Sequence, residues 1–283
     1  MALEKAILLG VNKISTITAD SEAGEFVAEN MINQQPSEIW QAAGLPSPNS
    51  IQISGSLGGI QITNGVAISN SNLTVETLRL ELSTDDAFSD VVFDVSWDFT
   101  DPLYGWGEGD WGDTQSTFGG YAVFDTAGAH YEFLKTFSGQ YAAYYRFTIS
   151  GLVVVPEIGA LFLGRALQSG IARDPEIPIV DPSQIVMTRG QGMRSDSQPT
   201  YREFRVRYVG LTTEEAHELR SVLRVSGKRK LVAFQMHPGT EGLNEIETRM
   251  ICRIVDWTGP VRIGRTTNAQ SRWTADLILR EAI

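Results

Sequence analysis

Val91-Val92-Phe93-Asp94-Val95-Ser96-Trp97-Asp98-Phe99 alternates with a period of two. In an extended chain Val91, Phe93, Val95, Trp97 and Phe99 fall on one face, and Val92, Asp94, Ser96 and Asp98 on the other, the pattern of a half-buried antiparallel strand. Leu78, Leu80 and Leu82 alternate with Thr77, Arg79 and Glu81 in the same way, as do Tyr145, Phe147 and Ile149 with Tyr144, Arg146 and Thr148. Shorter strands are expected at 51–53, 60–63, 122–124 and 157–163, with turn residues between them. The one helical piece in this half is short, around Val27 to Ile32. Many short strands without a long helical period predict a β-sandwich for residues 1–165.

Near residue 165 the chain changes character. Up to Arg165 it carries six Lys+Arg against twenty Asp+Glu, and after it seventeen against fourteen, as two modules with different surfaces would. Residues 166–182 contain Pro175, Pro178 and Pro182 among acids and are read as an extended linker. Residues 183–283 then begin with a strand at 185–188, a polar loop at 190–199 containing Arg194, Asp196 and Ser197, and a strand at 201–209. In that strand Phe204, Val206 and Tyr208 face inward, and Glu203, Arg205 and Arg207 outward.

Thr212-Thr213-Glu214-Glu215 has the spacing of a capping box: the Thr212 hydroxyl accepts from the backbone three residues on, and Glu215 reaches back. Ala216, Leu219, Val222 and Leu223 line one side of the helix that follows, His217, Glu218, Arg220 and Arg224 the other, and Gly227 stops it. Strands at 231–236, 249–255 and 272–280 complete the set, the last with Trp273, Ala275, Leu277 and Leu279 on one parity. The chain is thus expected to be mainly β, a sandwich followed by a smaller α+β domain with one helix.

Composition narrows the function classes. The apolar runs, Leu152 to Val155 among them, are far shorter than the roughly 20 residues of a membrane-spanning helix, and the first ten residues lack the pattern of a secretory signal. The expectation is a protein that stays in the cell that makes it or leaves in an assembly. The single cysteine, Cys252, alternates with Met250 and Ile254 and is read as a small buried hydrophobe. An isoelectric point near 4.8 argues against stable nucleic-acid binding. Lys228-Arg229-Lys230, the one basic triplet, follows the helix stop, where cations meet the negative end of the helix dipole.

Ala19-Asp20-Ser21, Phe26 to Ile32 and Pro36-Ser37-Glu38-Ile39-Trp40 resemble the opening of discoidin-like, galactose-binding-like jelly rolls, with Trp40 as the buried tryptophan. Pro156 to Gly164 looks like the closing strand of that domain as phage tail proteins carry it. Residues 183–283, by element order, resemble the tail-tube-like domain of distal tail and baseplate proteins of long-tailed phages. That resemblance implies a structural virion protein at the tail tip, assembled in the host cytoplasm. Its copies would join edge to edge into a hexameric ring between the tail tube and the tip proteins. The peripheral domain comes first here, the reverse of many distal tail proteins.

Two groups of site residues follow. Tyr104, Trp106 and Trp111 are interleaved with Glu108, Asp110 and Asp113 in a Gly-rich segment at 101–120, a pattern that suits stacking on sugar rings beside carboxylates and suits still better the packing of the loop itself or of a neighbouring subunit. As a sugar platform it would make the protein a host-recognition adhesin for a surface glycan. Glu203, Arg205, Arg207 and Trp273, on the strands 203–208 and 273–280, are the expected ring interface. No catalytic residue, metal or cofactor is expected. His130, His217 and His237 lack metal spacing, Gly55 to Gly59 lacks a phosphate-binding Lys, and no carboxylate pair is singled out for glycosidase chemistry.

Overall fold

The computed structural model describes residues 4–33, 35–73, 76–98, 131–172, 175–187, 193–196, 198, 200–236, 238, 248–265 and 271–282. The fold is mainly β with one α-helix, and its contacts divide the chain into two units. One is built on Asn12–Ala166, the other on the residues up to Val11 together with most of those from Leu167 onward. The first strand, β1 (Glu4–Asn12), therefore belongs largely with the second half of the chain. Periodicity did not reveal it, because Ala6-Ile7-Leu8-Leu9 is a continuous apolar run buried on both faces and has no alternation.

The sandwich unit contains β2 (Thr16–Ala19), a 3-10 turn (Ala28–Ile32), β3 (Trp40–Gln41), β4 (Ser50–Ser71), β5 (Thr77–Ser83), β6 (Val91–Asp98), β7 (Tyr131–Ser150) and most of β8 (Glu157–Ile171). The first part of β4 pairs with β2 and with the end of β7, which in turn pairs with β5 and through it β6. The last part of β4 pairs with the beginning of β7 and with β8, which also holds β3. β4 and β7 thus run through both layers and turn the corner together where their register shifts between Ser56 and Gln61. Gly58 and Gly59 sit at that corner with φ of 71° and 126°, a backbone that side chains with a Cβ rarely adopt.

Ile51, Ile53, Leu78, Leu80, Leu82, Phe147 and Ile149 from one layer meet Val66, Ile68, Ile158, Leu161 and Leu163 from the other in a single core. Trp40 is fully buried there, and its indole N–H donates to the Ser21 carbonyl at 3.2 Å. The expectation that 122–124 is a strand falls outside the described residues.

The second unit adds β9 (Ile179–Val180), β10 (Gln184–Met187), β11 (Met193–Asp196), β12 (Tyr201–Leu211), α1 (Thr213–Ser226), β13 (Leu231–Met236), β14 (Arg249–Arg265) and β15 (Ser271–Glu281). Its strands follow the order β1, β13, β14, β15, β12. β8, whose last residues from Leu167 belong to this unit, pairs with β1 and, at Ile171, with Tyr208 of β12, so the path closes on itself. Closure places Phe204, Val206, Tyr208, Phe234, Leu277 and Leu279 in one core.

The helix begins as its sequence requires: Glu215 N–H donates to Thr212 Oγ1 at 3.2 Å and Thr212 N–H to Glu215 Oε2 at 2.7 Å. Ala216, Leu219, Val222 and Leu223 are buried. Gly10 of β1 lets α1 approach, since a Cβ there would lie 2.4 Å from Val222 Cγ2, and Ser226 Oγ donates to the Gly10 carbonyl at 2.9 Å.

Three expectations are corrected here. The 166–182 linker is structured at its start, because Ala166, Leu167 and Ile171 are buried in β8, and at its end, where β9 pairs with β12. The polar loop at 190–199 contains β11, which forms a hairpin with β10. The strand at 249–255 runs on to Arg265, through three register shifts against β15 that let it bend.

Two buried tyrosines test the polar accounting. Tyr145 hydroxyl donates to the Thr16 carbonyl at 2.9 Å, whereas the Tyr208 hydroxyl has no hydrogen-bond partner among the described residues. Burial pushes both phenols well above their ordinary range. Tyr145→Phe is expected to cost about 1 kcal/mol in urea unfolding, and Tyr208→Phe to be neutral or stabilising, because the unpartnered hydroxyl is a desolvation penalty only. A larger loss at Tyr208 than at Tyr145 would contradict this.

Candidate functional site

Tyr104, Trp106 and Trp111, with Glu108, Asp110 and Asp113, lie outside the described residues. The structure does describe the strands that lead into and out of their segment. β6 ends at Asp98, which accepts from Thr77 Oγ1 at 2.8 Å, and β7 begins at Tyr131 opposite Ser71. Phe93 of β6 stacks on Phe137 of β7 with centroids 4.6 Å apart, and Trp97 meets Phe133 edge-on at 5.9 Å. These ring contacts fix β6 against the first half of β7.

The outer face of β5, β6 and β7 carries a charge ladder. Arg79 holds Asp94 through two bonds of 2.8 and 2.6 Å, and Arg146 holds Glu81 through two of 2.7 and 2.9 Å. The Arg146 guanidinium lies 4.3 Å from the Phe88 ring centroid. The hydrogen bond from Arg79 keeps the Asp94 carboxyl below its usual range, and the Ser89 backbone N–H does the same for Asp85. Carboxylates held ionised in this way cannot act as general acids near neutral pH.

Because Asp94 ionises more easily folded than unfolded, its contribution is present above the ordinary aspartate range and lost as the pH falls through the lowered folded value. Asp94→Asn is therefore expected to lower stability by well under about 1 kcal/mol at neutral pH, given the pair's exposure. Its urea midpoint should converge on wild type in acid. A gap that widens in acid would contradict the assignment.

The residues expected at a ring interface are only partly brought together. Glu203 is 8% exposed, between Arg205 at 3.3 Å and Arg280 at 3.4 Å, so it is a buried anchor where an outward charge was expected. Arg205 also reaches Glu176 at 3.2 Å, and Arg207 Nε donates to Asp276 at 2.6 Å, which raises the basicity of Arg207. Trp273 lies apart, half-buried, with the Arg220 guanidinium of α1 4.7 Å from its ring centroid.

Among the described residues, β15 and β12 up to Tyr208 are paired on both sides. β15 lies between β14 and β12. On the other side of β12, Ala172 N–H donates to the Arg207 carbonyl at 2.8 Å, and Arg205 and Glu203 donate to the carbonyls of Glu176 and Pro178, both at 3.0 Å. A strap formed by residues 171–172 and 175–180 of the same chain thus takes the bonds that the sequence reading left for a neighbouring copy at β12. What that reading missed is the strap itself and two exposed aliphatic pairs, Ile177 with Ile179 and Val261 with Ile263. The signal was legible in Glu176-Ile177-Pro178-Ile179-Val180, where isoleucines alternate inside a stretch whose prolines suggested a linker.

Among the described residues no group of three His, Cys, Asp or Glu side chains is placed to hold a metal ion. No helix among them is long and apolar enough to cross a membrane. Cys252 is buried, with its thiol 3.6 Å from the Val232 carbonyl.

No protein-family model matches the chain, and no curated protein matches it. Solved structures with a similar chain course include carbohydrate-binding modules. Chitosan-binding module 1 of a chitosanase/glucanase from Paenibacillus sp. IK-5 is 18% identical, over 54% of this chain and 98% of that one, with a TM-score of 0.37. A Streptococcus pneumoniae fucose binding module is 11% identical over 55% and 96%, with a TM-score of 0.37. A Ruminococcus gnavus GH29 fucosidase in complex with fucose is 15% identical over 55% of this chain and 26% of that one, also at 0.37. At these values the likeness decides neither ligand nor activity.

Proposed function

We propose that the chain is a non-catalytic structural subunit that assembles with copies of itself, its sheet-and-helix unit forming the assembly and its sandwich displayed on it. The setting that fits this role is the tail tip of a long-tailed phage, where a ring, hexameric by the family resemblance, joins the tail tube to the tip proteins. One observation carries the reading: the sandwich is an insertion. The chain leaves the second unit after β1 and returns to it within β8, whose last residues from Leu167 close that unit's strand path against β1 and β12. An accessory domain inserted in this way can vary without disturbing the module that carries it. On this reading the ring domain is interrupted by its decoration, where the sequence order suggested a peripheral domain followed by a ring domain. Negative-stain electron microscopy of the concentrated protein is expected to show closed rings. Particles of single-chain size throughout would overturn the proposal.

A second reading concerns the sandwich alone. The aromatic and acidic residues of the 101–120 segment suit glycan binding, and the segment follows β6 and precedes β7, strands fixed to each other by the Phe93–Phe137 and Trp97–Phe133 contacts. Trp106→Ala and Trp111→Ala are each expected to weaken glycan binding by about tenfold on an array, with assembly unchanged. Flat wild-type binding across the array would leave the sandwich without this role.

A further inference from the structure

We propose that the assembly contact is head-to-tail, with the 175–181 strap of one copy adding to the Val261–Ile263 stretch of β14 in the next. The inference rests on the self-association proposed above and identifies the two surfaces that would carry it. In an antiparallel pair, alternate residues turn their backbone groups toward and away from the partner. Glu176 and Pro178 turn theirs toward β12, where they accept from Arg205 and Glu203, so Ile177 and Ile179 turn theirs outward. Their side chains are exposed as well, 41% and 75%. The strap is therefore a short open edge with two uncovered isoleucines.

Among the described residues, β14 extends past its neighbour β13 and presents the matching edge there. It has 17 residues and its neighbour β13 has six, so most of β14 cannot lie opposite β13. Cys252 Sγ, 3.6 Å from the Val232 carbonyl, places β13 beside the beginning of β14. Farther along, Arg220 of α1 takes the Pro260 carbonyl at 3.0 Å, and beyond it Val261 and Ile263 are 51% and 59% exposed.

The two edges are complementary in pattern and charge. Ile177 and Ile179 share one face of the strap, and Val261 and Ile263 are both exposed on either side of Arg262, beside the register shift between Arg262 and Gly264. Exposed Arg262 sits between the two aliphatic residues of β14, and Glu176 adjoins Ile177 on the strap with a side chain that is 67% exposed while it holds Arg205. Edge pairing removes the open hydrogen-bonding groups and covers four aliphatic side chains at once. Because the edges differ, each copy uses one of each, and the contact propagates into a ring or filament.

The experiment compares wild type with I177E/I179E and V261E/I263E by light scattering coupled to size exclusion, with circular dichroism to confirm folding. All four positions are exposed, so both variants should fold. Wild type is expected to be oligomeric and each variant alone to have the mass of one chain. An equimolar mixture of the two variants should give a heterodimer and nothing larger, since one strap and one β14 edge remain intact between them. A variant that keeps the wild-type mass, or a mixture that stays monomeric, overturns the edge assignment while leaving self-association in place. A wild-type chain that is itself monomeric at every concentration overturns both.

Discussion

Trp40→Ala is expected to lower the stability of the sandwich by about 4 kcal/mol in urea unfolding. Trp40 is fully buried in the core, its backbone pairs with that of Ile158 in β8, and its indole donates from Nε1 to the Ser21 carbonyl. Its removal opens a large cavity and leaves that carbonyl without its partner, two losses that add. Trp97→Ala is the control, since Trp97 is half-buried on the edge strand β6 and should cost roughly half as much. A loss below about 1 kcal/mol at Trp40 would mean that the 20–49 region is not held by this side chain.

Gly55→Ala is the second large effect, from the smallest of substitutions. A Cβ at Gly55 would lie 1.9 Å from the Thr16 carbonyl oxygen and 2.8 Å from Tyr145 Oη. Thr16 belongs to β2, so the backbone of β2 has to move. It would give up its pairing with Ile53–Ser56 and the Thr16–Ser56 hydroxyl contact of 2.9 Å. The expected loss is about 3 kcal/mol or more, with hydrogen exchange rising first in residues 16–19. Gly139→Ala, whose nearest contact would be Ile62 Cδ1 at 3.7 Å, should be close to neutral. Equal effects at the two glycines would contradict the close approach of β2 and β4.

Elements whose local pattern agrees with their surroundings were legible in the sequence. α1 was marked at both ends by Thr212, Glu215 and Gly227, and β5, β6 and β12 by strict alternation. β13 was read to the residue, although all six of its positions are buried. β1 was not recognised, because a strand covered on both faces has no period to read. The turning of β4 and β7 through both layers escaped for another reason. A 22-residue strand that bends at Gly58 and Gly59 looks in sequence like several short ones.

The candidate interface shows a different limit. Outward charge on β12 was correctly read at Arg205 and Arg207, but alternation says nothing about what lies beside a strand. Residues 171–172 and 175–180 fill that position through backbone groups, which no motif announces. Glu203 departs from its outward expectation for an electrostatic reason: Arg205 and Arg280 close over its carboxylate and take the place of water. The open edge then moves one strand outward, to Ile177 and Ile179.

Self-assembly through the sheet-and-helix unit is the claim on which the functional account stands. Sedimentation velocity of the wild-type chain over a hundredfold range of concentration, on the order of micromolar to tenths of millimolar, tests it most directly. The account predicts a reversible rise from the 31.1 kDa chain to a discrete larger species. A single boundary at the mass of one chain across the whole range would contradict it.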